Sequence, residues 1–367
     1  MKDYGAILVD VCNVYYRIFA SLGKKVKVNS KNLTSLEELA TKAYIKFIDS
    51  ATAYGDIVCL LFDPFATKPL FELPDEGAQI TSLRQQKQKD YKANRKVAKN
   101  SDFNIQEAED DTSLFNECKE VVFENIYKHY TQATFEGKVD VYYSSWLEAD
   151  DFAKPLCDIY KDKKIAMVTS DLDWARYLGQ YNTVMIREGL KITAVKSYTK
   201  EQFIKEHGFY PSYESVVLWK ALFGDVSDNI TGAFLDKRSS VYRSTANRML
   251  AAIDAIGKLT SKPDNTVKLY DLKLAVTTAF DDSPIPEIQE FKLTLRQCES
   301  EMTDTAYLEF ARILLDNIEV IKSYLDNSKE IGQYKCRMSF NYTEAKDLTN
   351  KVKALQVKSK GFSFNVV

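Results

Sequence analysis

GAILVDVCNVYYR, residues 5–17, opens the chain with an apolar run, Gly5–Val9, that stops on an acid, Asp10. Four more runs end on polar residues in the same way: Ile57–Phe62, Val139–Tyr143, Ile165–Thr169 and Thr183–Ile186. Each reads as a strand. Helical patterns lie between them. Ser35–Tyr54 opens with a capping box from Ser35 to Glu38 and repeats Leu36, Leu39, Ala40, Ala43 and Phe47 on one face. Leu114–Tyr130 and Asp150–Tyr160 are the others. Strands that are apolar throughout and alternate with helices predict an α/β fold, a mostly parallel central sheet with helices on both faces.

Past about residue 200 the character changes. Thr199–His207, Ser212–Phe223, Ser240–Ile256, Thr266–Phe280 and Asp304–Leu325 read as helices, with few strand candidates among them. The tail from Asn327 carries one expected strand (Gln333–Phe340), one helix (Glu344–Leu355) and basic Lys353, Lys358 and Lys360. The expected organisation is an α/β core over 1–199, a helical region over 200–325 and an extension over 326–367 of no assignable role. The sequence shows no internal repeat and no low-complexity linker.

A chain of 367 residues, 45% hydrophobic and 28% charged, can bury a substantial core. No apolar run approaches the roughly 20 residues that span a bilayer. The start, MKDYGAILVDVCNVYY, has acids where an export signal needs a clean apolar stretch, so a cytoplasmic protein is expected. Six scattered cysteines without a CxxC pair suggest reduced thiols. With His129 and His207 as the only histidines, a His-rich zinc site is excluded, and any metal must be held by oxygen. The net charge of −2 hides a segregated pattern. Arg84, Lys87, Lys89, Lys92, Arg95, Lys96 and Lys99 face a single acid, Asp90, and Asp102, Glu107, Glu109, Asp110 and Asp111 follow at once.

The carboxylates carry the chemistry. Asp10 ends AILVD, Asp63 ends IVCLLFD, Glu148, Asp150 and Asp151 open a helix, and Asp171 and Asp173 end IAMVTSDLD. In parallel α/β sheets the carboxyl ends of the strands form the crevice where ligands bind. Acids at several strand ends would therefore meet in one place. Carboxylates within about 6 Å of one another raise each other's pKa and tolerate ionisation only with cations between them. One acid at a helix start is more often a cap, and one acid ending a strand is more often a loop residue. Their co-occurrence is the signal, and it points to a metal.

The collinear motifs ILVDVCNVYYR, LLFD, LRQQKQKDYKANR, LEADD, VTSDLDWARYL and ALFGDVSDNITG, spanning about residues 5–232, resemble the 5′-nuclease family. That family has a PIN-like fold. It includes flap endonucleases, the 5′-exonuclease domain of bacterial DNA polymerase I, and bacteriophage 5′-exonucleases with RNase H activity; this chain is closest in character to the phage members. The resemblance implies metal ligands at Asp10, Asp63, Glu148, Asp150 and Asp151, and at Asp171, Asp173, Asp225 and Asp228. It implies two Mg²⁺ ions, replaceable by Mn²⁺, and hydrolysis leaving a 5′-phosphate and a 3′-hydroxyl. Lys92 and Arg95 match cations near the scissile phosphate, so that Lys92, Arg95, Asp150 and Asp171 form the catalytic set. Arg84, Lys87 and Tyr91 would line the same gateway, within an arch over about 80–115 whose mobile part is 101–113, and Arg17 matches a contact to the DNA backbone.

After GDVSDNITG the sequence departs from the family. A Gly-rich GIGxKTA turn usually follows, gripping duplex phosphate and often a K⁺ ion. Here the chain reads AFLDKRSSVYRSTANRML. Close backbone approach to phosphate needs Gly, which argues against the K⁺ site and leaves Lys237, Arg238, Arg243 and Arg248 to make side-chain contacts. The expected substrate is DNA or an RNA–DNA hybrid with a single-stranded 5′ end, as met in replication and repair, cut by a monomer that works beside replication proteins, in a bacterial host if viral. Two other readings stand: a single-strand endoribonuclease of the PIN type, and a silent nucleic-acid-binding module. The basic arch and the complete acidic set favour the first reading over both. A phosphatase using Asp171 as nucleophile leaves the LEADD and YKANR segments without a purpose.

Overall fold

Five parallel strands form the centre of the protein: β1 (Ala6–Asp10), β2 (Val58–Leu61), β3 (Val139–Tyr143), β4 (Ile165–Val168) and β5 (Thr183–Met185). The computed structural model describes residues 2–23, 33–63, 105–131, 138–143, 147–188, 197–225, 228–234, 240–262, 269–277, 285–325 and 337–339. The sheet order is β5-β4-β1-β2-β3-β6, where β6 (Arg337–Ser339) pairs antiparallel with β3 at the edge. Ile7 pairs with Val58 on one side and Ala166 on the other, which places the C-terminal ends of β1, β2 and β4 together. The chain winds from β1 through β2 to β3 in one direction, then returns to place β4 on the other flank of β1. The topological switch point, where the crevice of such a sheet opens, therefore lies at the end of β1.

Side chains alternate along each strand and feed two cores. Ala6, Leu8, Cys59, Leu61, Tyr142 and Met167 face one, whereas Ile7, Val9, Val58, Leu60, Val141 and Val168 face the other. Being covered on both faces is why the strands read as continuous apolar runs. The second core is closed by α1 (Val11–Gly23), α2 (Leu33–Thr52) and α3 (Ile105–Thr131), through residues such as Tyr15, Tyr44 and Phe123. The first is closed by α4 (Ala149–Ile159) and a 3₁₀ turn (Leu172–Tyr177), and then by the helices of the second half. These are α5 (Lys200–His207), α6 (Tyr213–Phe223), α7 (Ser240–Thr260), α8 (Leu269–Thr277), α9 (Pro286–Ser300) and α10 (Asp304–Leu325). Phe203, Leu218, Ile253, Phe291 and Leu314 share one cluster with the strand residues, so the helical half and the sheet are parts of one continuous core.

Several expectations shift. Helix α2 begins at Leu33, so Ser35 lies inside its first turn and the Ser35–Glu38 capping box does not form. Helix α3 starts at Ile105 and its backbone takes in most of the segment expected to be mobile; Gln, Glu and Ala at its start are good helix formers. Helices α1 and α9 were not anticipated. Of the expected tail strand Gln333–Phe340, Arg337–Ser339 forms β6, and its other residues, like the expected helix over Glu344–Leu355, lie outside the described residues. Cys59, Cys118, Cys157 and Cys298 are buried free thiols. Among the described residues no helix is long and apolar enough to cross a membrane.

Candidate metal centre

Asp10, the last residue of β1, stands at the switch point and is 7% exposed. Its Oδ1 accepts from the backbone N–H of Asn13 at 3.0 Å and its Oδ2 from Thr169 Oγ1 at 2.8 Å. Thr169 Oγ1 in turn accepts from the backbone N–H of Asp171 at 3.1 Å, which ties the ends of β1 and β4 together. Asp171 caps the 3₁₀ turn, its Oδ1 accepting from Asp173 N–H at 2.9 Å. From the β2 side, Asp63 Oδ1 accepts from the N–H of Ala149 at 2.8 Å, at the start of α4. That helix delivers Asp150, whose Oδ1 accepts from the buried indole Nε1 of Trp174 at 2.6 Å. Asp151, 1% exposed, uses Oδ2 to cap the N–H of Glu148 at 3.0 Å.

Two acid groups result. Oxygens of Asp150, Asp171 and Asp173 all lie within 4.8 Å of one another, and so do those of Asp173, Asp225 and Asp228. Asp173 belongs to both. Burial pushes the Asp10 carboxyl up to about 7, reinforced by the charges of Asp63 and Asp150 and opposed by its hydrogen bonds from Asn13 and Thr169. Asp171 is held well above the usual carboxylate range, first by burial and then by Asp173 and Asp150, with Lys220 pulling the other way. Like charges crowded together resist ionisation, and a cation between them removes that penalty. A donor set made wholly of carboxylate oxygen fits a hard divalent ion and suits no soft one.

The second group depends on one tight loop. Helix α6 ends at Gly224 (φ +84°), and Asp225 and Ile230 then exchange backbone hydrogen bonds of 2.9 and 2.8 Å across GDVSDNI. Asn229 turns the chain at φ 61°, a region that Asn tolerates better than most residues. A Cβ on Gly232 would meet the Gly224 nitrogen at 2.5 Å and Leu222 O at 2.6 Å, so only glycine lets the two limbs touch. Into this loop α6 sends Lys220, 3% exposed, whose Nζ contacts Asp173 and lies 2.5 Å from Asp225 Oδ2 and 3.5 Å from Asp228 Oδ2.

The structure thus regroups the acids expected from sequence. Asp150 of LEADD stands with Asp171 and Asp173. Among the described residues Asp10, Asp63, Glu148 and Asp151 complete no ligand group of that closeness, although Asp10 feels both Asp63 and Asp150. Arg17 donates through Nε and Nη2 to Asn13 Oδ1 and through Nη1 to Ile186 O, pinning α1 to the end of β5. Arg84, Lys87, Tyr91, Lys92, Arg95, Lys237 and Arg238 lie outside the described residues. Four contributors escaped the sequence reading: Asn13, Thr169, Trp174 and Lys220. Lys220 had a signal, a lone charge inside VVLWKALF that can be buried only against a counter-charge.

No family model and no curated protein matches this sequence. The chain is similar to solved structures of bacteriophage T5 proteins. A flap endonuclease in a pseudo-enzyme–product complex with DNA and metal ions is 16% identical over 97% of this chain and 99% of that one, with a TM-score of 0.48. A 5′-exonuclease with bound zinc ions is 16% identical over 85% and 98%, with a TM-score of 0.45.

Proposed function

We propose that this chain is a divalent-metal-dependent 5′-nuclease, hydrolysing phosphodiester bonds at 5′ flaps, 5′ ends or RNA primers. The observation that carries the reading is the pair of acid groups sharing Asp173 at the switch point of a parallel sheet. Asp150, Asp171 and Asp173 would hold one Mg²⁺ or Mn²⁺, and Asp173, Asp225 and Asp228 a second. Such ions, when bound, polarise a phosphate and make water a nucleophile near neutral pH. The chain's own residues orient the acids: Thr169 and Asn13 fix Asp10 beside the groups, Trp174 fixes Asp150, and the 3₁₀ turn fixes Asp171 against Asp173. The DYKANR segment supports the choice of a 5′-nuclease over a PIN-type endoribonuclease. Lys92 and Arg95 would stabilise charge growing on the phosphate, with Arg84, Lys87 and Tyr91 guiding a single-stranded 5′ end and Lys237 and Arg238 touching the duplex.

The test uses a 5′-labelled flap duplex and a matching RNA–DNA hybrid, each with and without Mg²⁺. Cleavage should require the metal and fall by orders of magnitude in Asp150→Asn and Asp171→Asn. Undiminished cutting by both variants would sink the assignment. Cutting of free single-stranded RNA in preference to both substrates would favour the endoribonuclease.

A further inference from the structure

A cavity of about 600 Å³ opens just past the end of β5, walled by Ser170, Arg187, Glu188, Tyr198, Gln202 and Glu206. Ser170 directly precedes Asp171 and ties the cavity to the acids. Asn13 donates through Nδ2 to Ser170 Oγ at 2.9 Å and through its backbone N–H to Asp10 Oδ1 at 3.0 Å. Other parts of the wall are also fixed. Tyr198 exchanges backbone hydrogen bonds of 2.9 and 2.6 Å with Met185 of β5, and its hydroxyl donates to Glu206 Oε2 at 2.6 Å. The Arg187 guanidinium lies 4.4 Å from the centre of the Tyr198 ring and donates to the same Glu206 oxygen at 3.2 Å. The Arg187 side chain is still 27% exposed, so a ligand in the cavity can reach it.

Resting on the nuclease reading above, we propose that this cavity receives an unpaired nucleobase of the substrate strand, next to the scissile phosphate, against the Arg187–Tyr198 pair. Charge decides between base and phosphate. Among the described residues the wall carries two acids, Glu188 and Glu206, against one cation, Arg187, which Glu206 already pairs. A phosphate would meet net negative charge there. A neutral base meets a planar cation and an aromatic ring, the two surfaces on which bases stack. The volume falls in the range of small-ligand sites and is ample for one nucleoside. A strand whose phosphate sits at Asp150, Asp171 and Asp173 passes Ser170 at the adjoining residue, so the neighbouring base enters by leaving its stack. An unpaired base does so at small cost, whereas a paired one must first break its pair. The cavity therefore favours substrates that are single-stranded beside the cut.

The experiment is single-turnover cleavage of a 5′-labelled flap duplex by the full chain in Mg²⁺, over a range of enzyme concentrations that separates substrate Kd from the cleavage rate. The nucleotide on each side of the scissile bond is made abasic in turn. For wild type, one of the two abasic substrates should bind about tenfold more weakly than the intact one. Arg187→Ala and Tyr198→Leu should each weaken binding of the intact substrate by about as much and no longer distinguish it from the abasic one. Arg187→Lys, which keeps the charge and loses the plane, should behave like Arg187→Ala. No abasic penalty in wild type, a full penalty in the folded variants, or wild-type binding by Arg187→Lys overturns the proposal. Should the variants not fold, wild type decides by photo-cross-linking with 5-iodouracil at the same two positions. A cross-link at Tyr198 is expected, and cross-links only elsewhere overturn the proposal as well. Failure of the underlying nuclease reading looks different: wild type would cut neither flap nor RNA–DNA hybrid, intact or abasic, and the proposal would fall with it.

Discussion

Replacing Asp10 with Asn should stabilise the metal-free protein at pH 8. The Asp10 carboxyl rises from 3.8 to about 7 because it is buried beside Asp63 and Asp150. The folded chain therefore keeps this proton up to about pH 7, whereas the unfolded chain releases it near 4. The favourable contribution is complete below the unfolded value and is lost as pH climbs through the folded one. About 3 pKa units at roughly 1.4 kcal/mol each make the ionised carboxylate cost on the order of 4 kcal/mol at pH 8. Asn removes that charge, and its carbonyl can still accept from Asn13. Its NH₂ meets Thr169 Oγ1 where an acceptor stood, which offsets about 1 kcal/mol. At about 2.1 cal/mol/K per residue, a chain of 367 residues converts the remaining ~3 kcal/mol into a rise of about 4 °C in Tm. Differential scanning calorimetry in EDTA at pH 5 and pH 8 reads it directly. The gap between variant and wild type should open at pH 8 and shrink at pH 5. Saturating Mg²⁺ at pH 8 should narrow the gap, because a cation beside Asp150 relieves the ionised Asp10 of wild type and has no such charge to relieve in the variant. An Asp10→Asn protein no more stable than wild type at pH 8 in EDTA would refute the claim that crowding strains this carboxyl.

Gly232→Ala places a Cβ against the backbone of Leu222 and Gly224, so the Asp225–Ile230 loop must shift. It should lower stability by about 1–3 kcal/mol and weaken Mn²⁺ binding at one of two sites, measured by denaturant melts and EPR titration. Lys92→Ala should slow single-turnover cleavage by about 10²–10³-fold with little change in substrate Kd. If only the Kd and its salt dependence move, Lys92 positions phosphate and does not act on the reaction.

The strands were legible because a strand buried on both faces is a bare apolar run, and Ala6–Asp10 or Ile165–Val168 admits little else. The acids were legible for a related reason: a charge just past such a run falls at the sheet's edge. Strand order was not, since nothing in IAMV or VCLL says which flank of β1 each will take. Helix α1 was hidden because Val11, Val14, Tyr15 and Ile18 follow β1 without a break in hydrophobicity. Helix α9 has its cue in Pro286 and the spacing of Ile288, Phe291, Leu295 and Cys298, a pattern diluted by the charged residues between them. Helix α2 shows the reverse error, a cap motif overruled because the helix had begun two residues earlier. Ligand grouping was the least readable feature. Asp150 meets Asp171 and Asp173 with its carboxylate held by Trp174, and that contact joins residues 24 positions apart through the fold.

The single apolar cluster that runs from Leu8 and Met167 into Phe291 and Leu314 sets a limit on how this protein can be taken apart. Cutting the chain near residue 200 would strip the helices of the second half from that core, leaving only α4 and the 3₁₀ turn over apolar residues such as Leu8 and Met167. Neither half could be exchanged for a relative's without rewriting every second residue of five strands. The helical half is thus free to diverge at its loops and helix tips, while its inner surface stays tied to the core of the sheet as one inheritance.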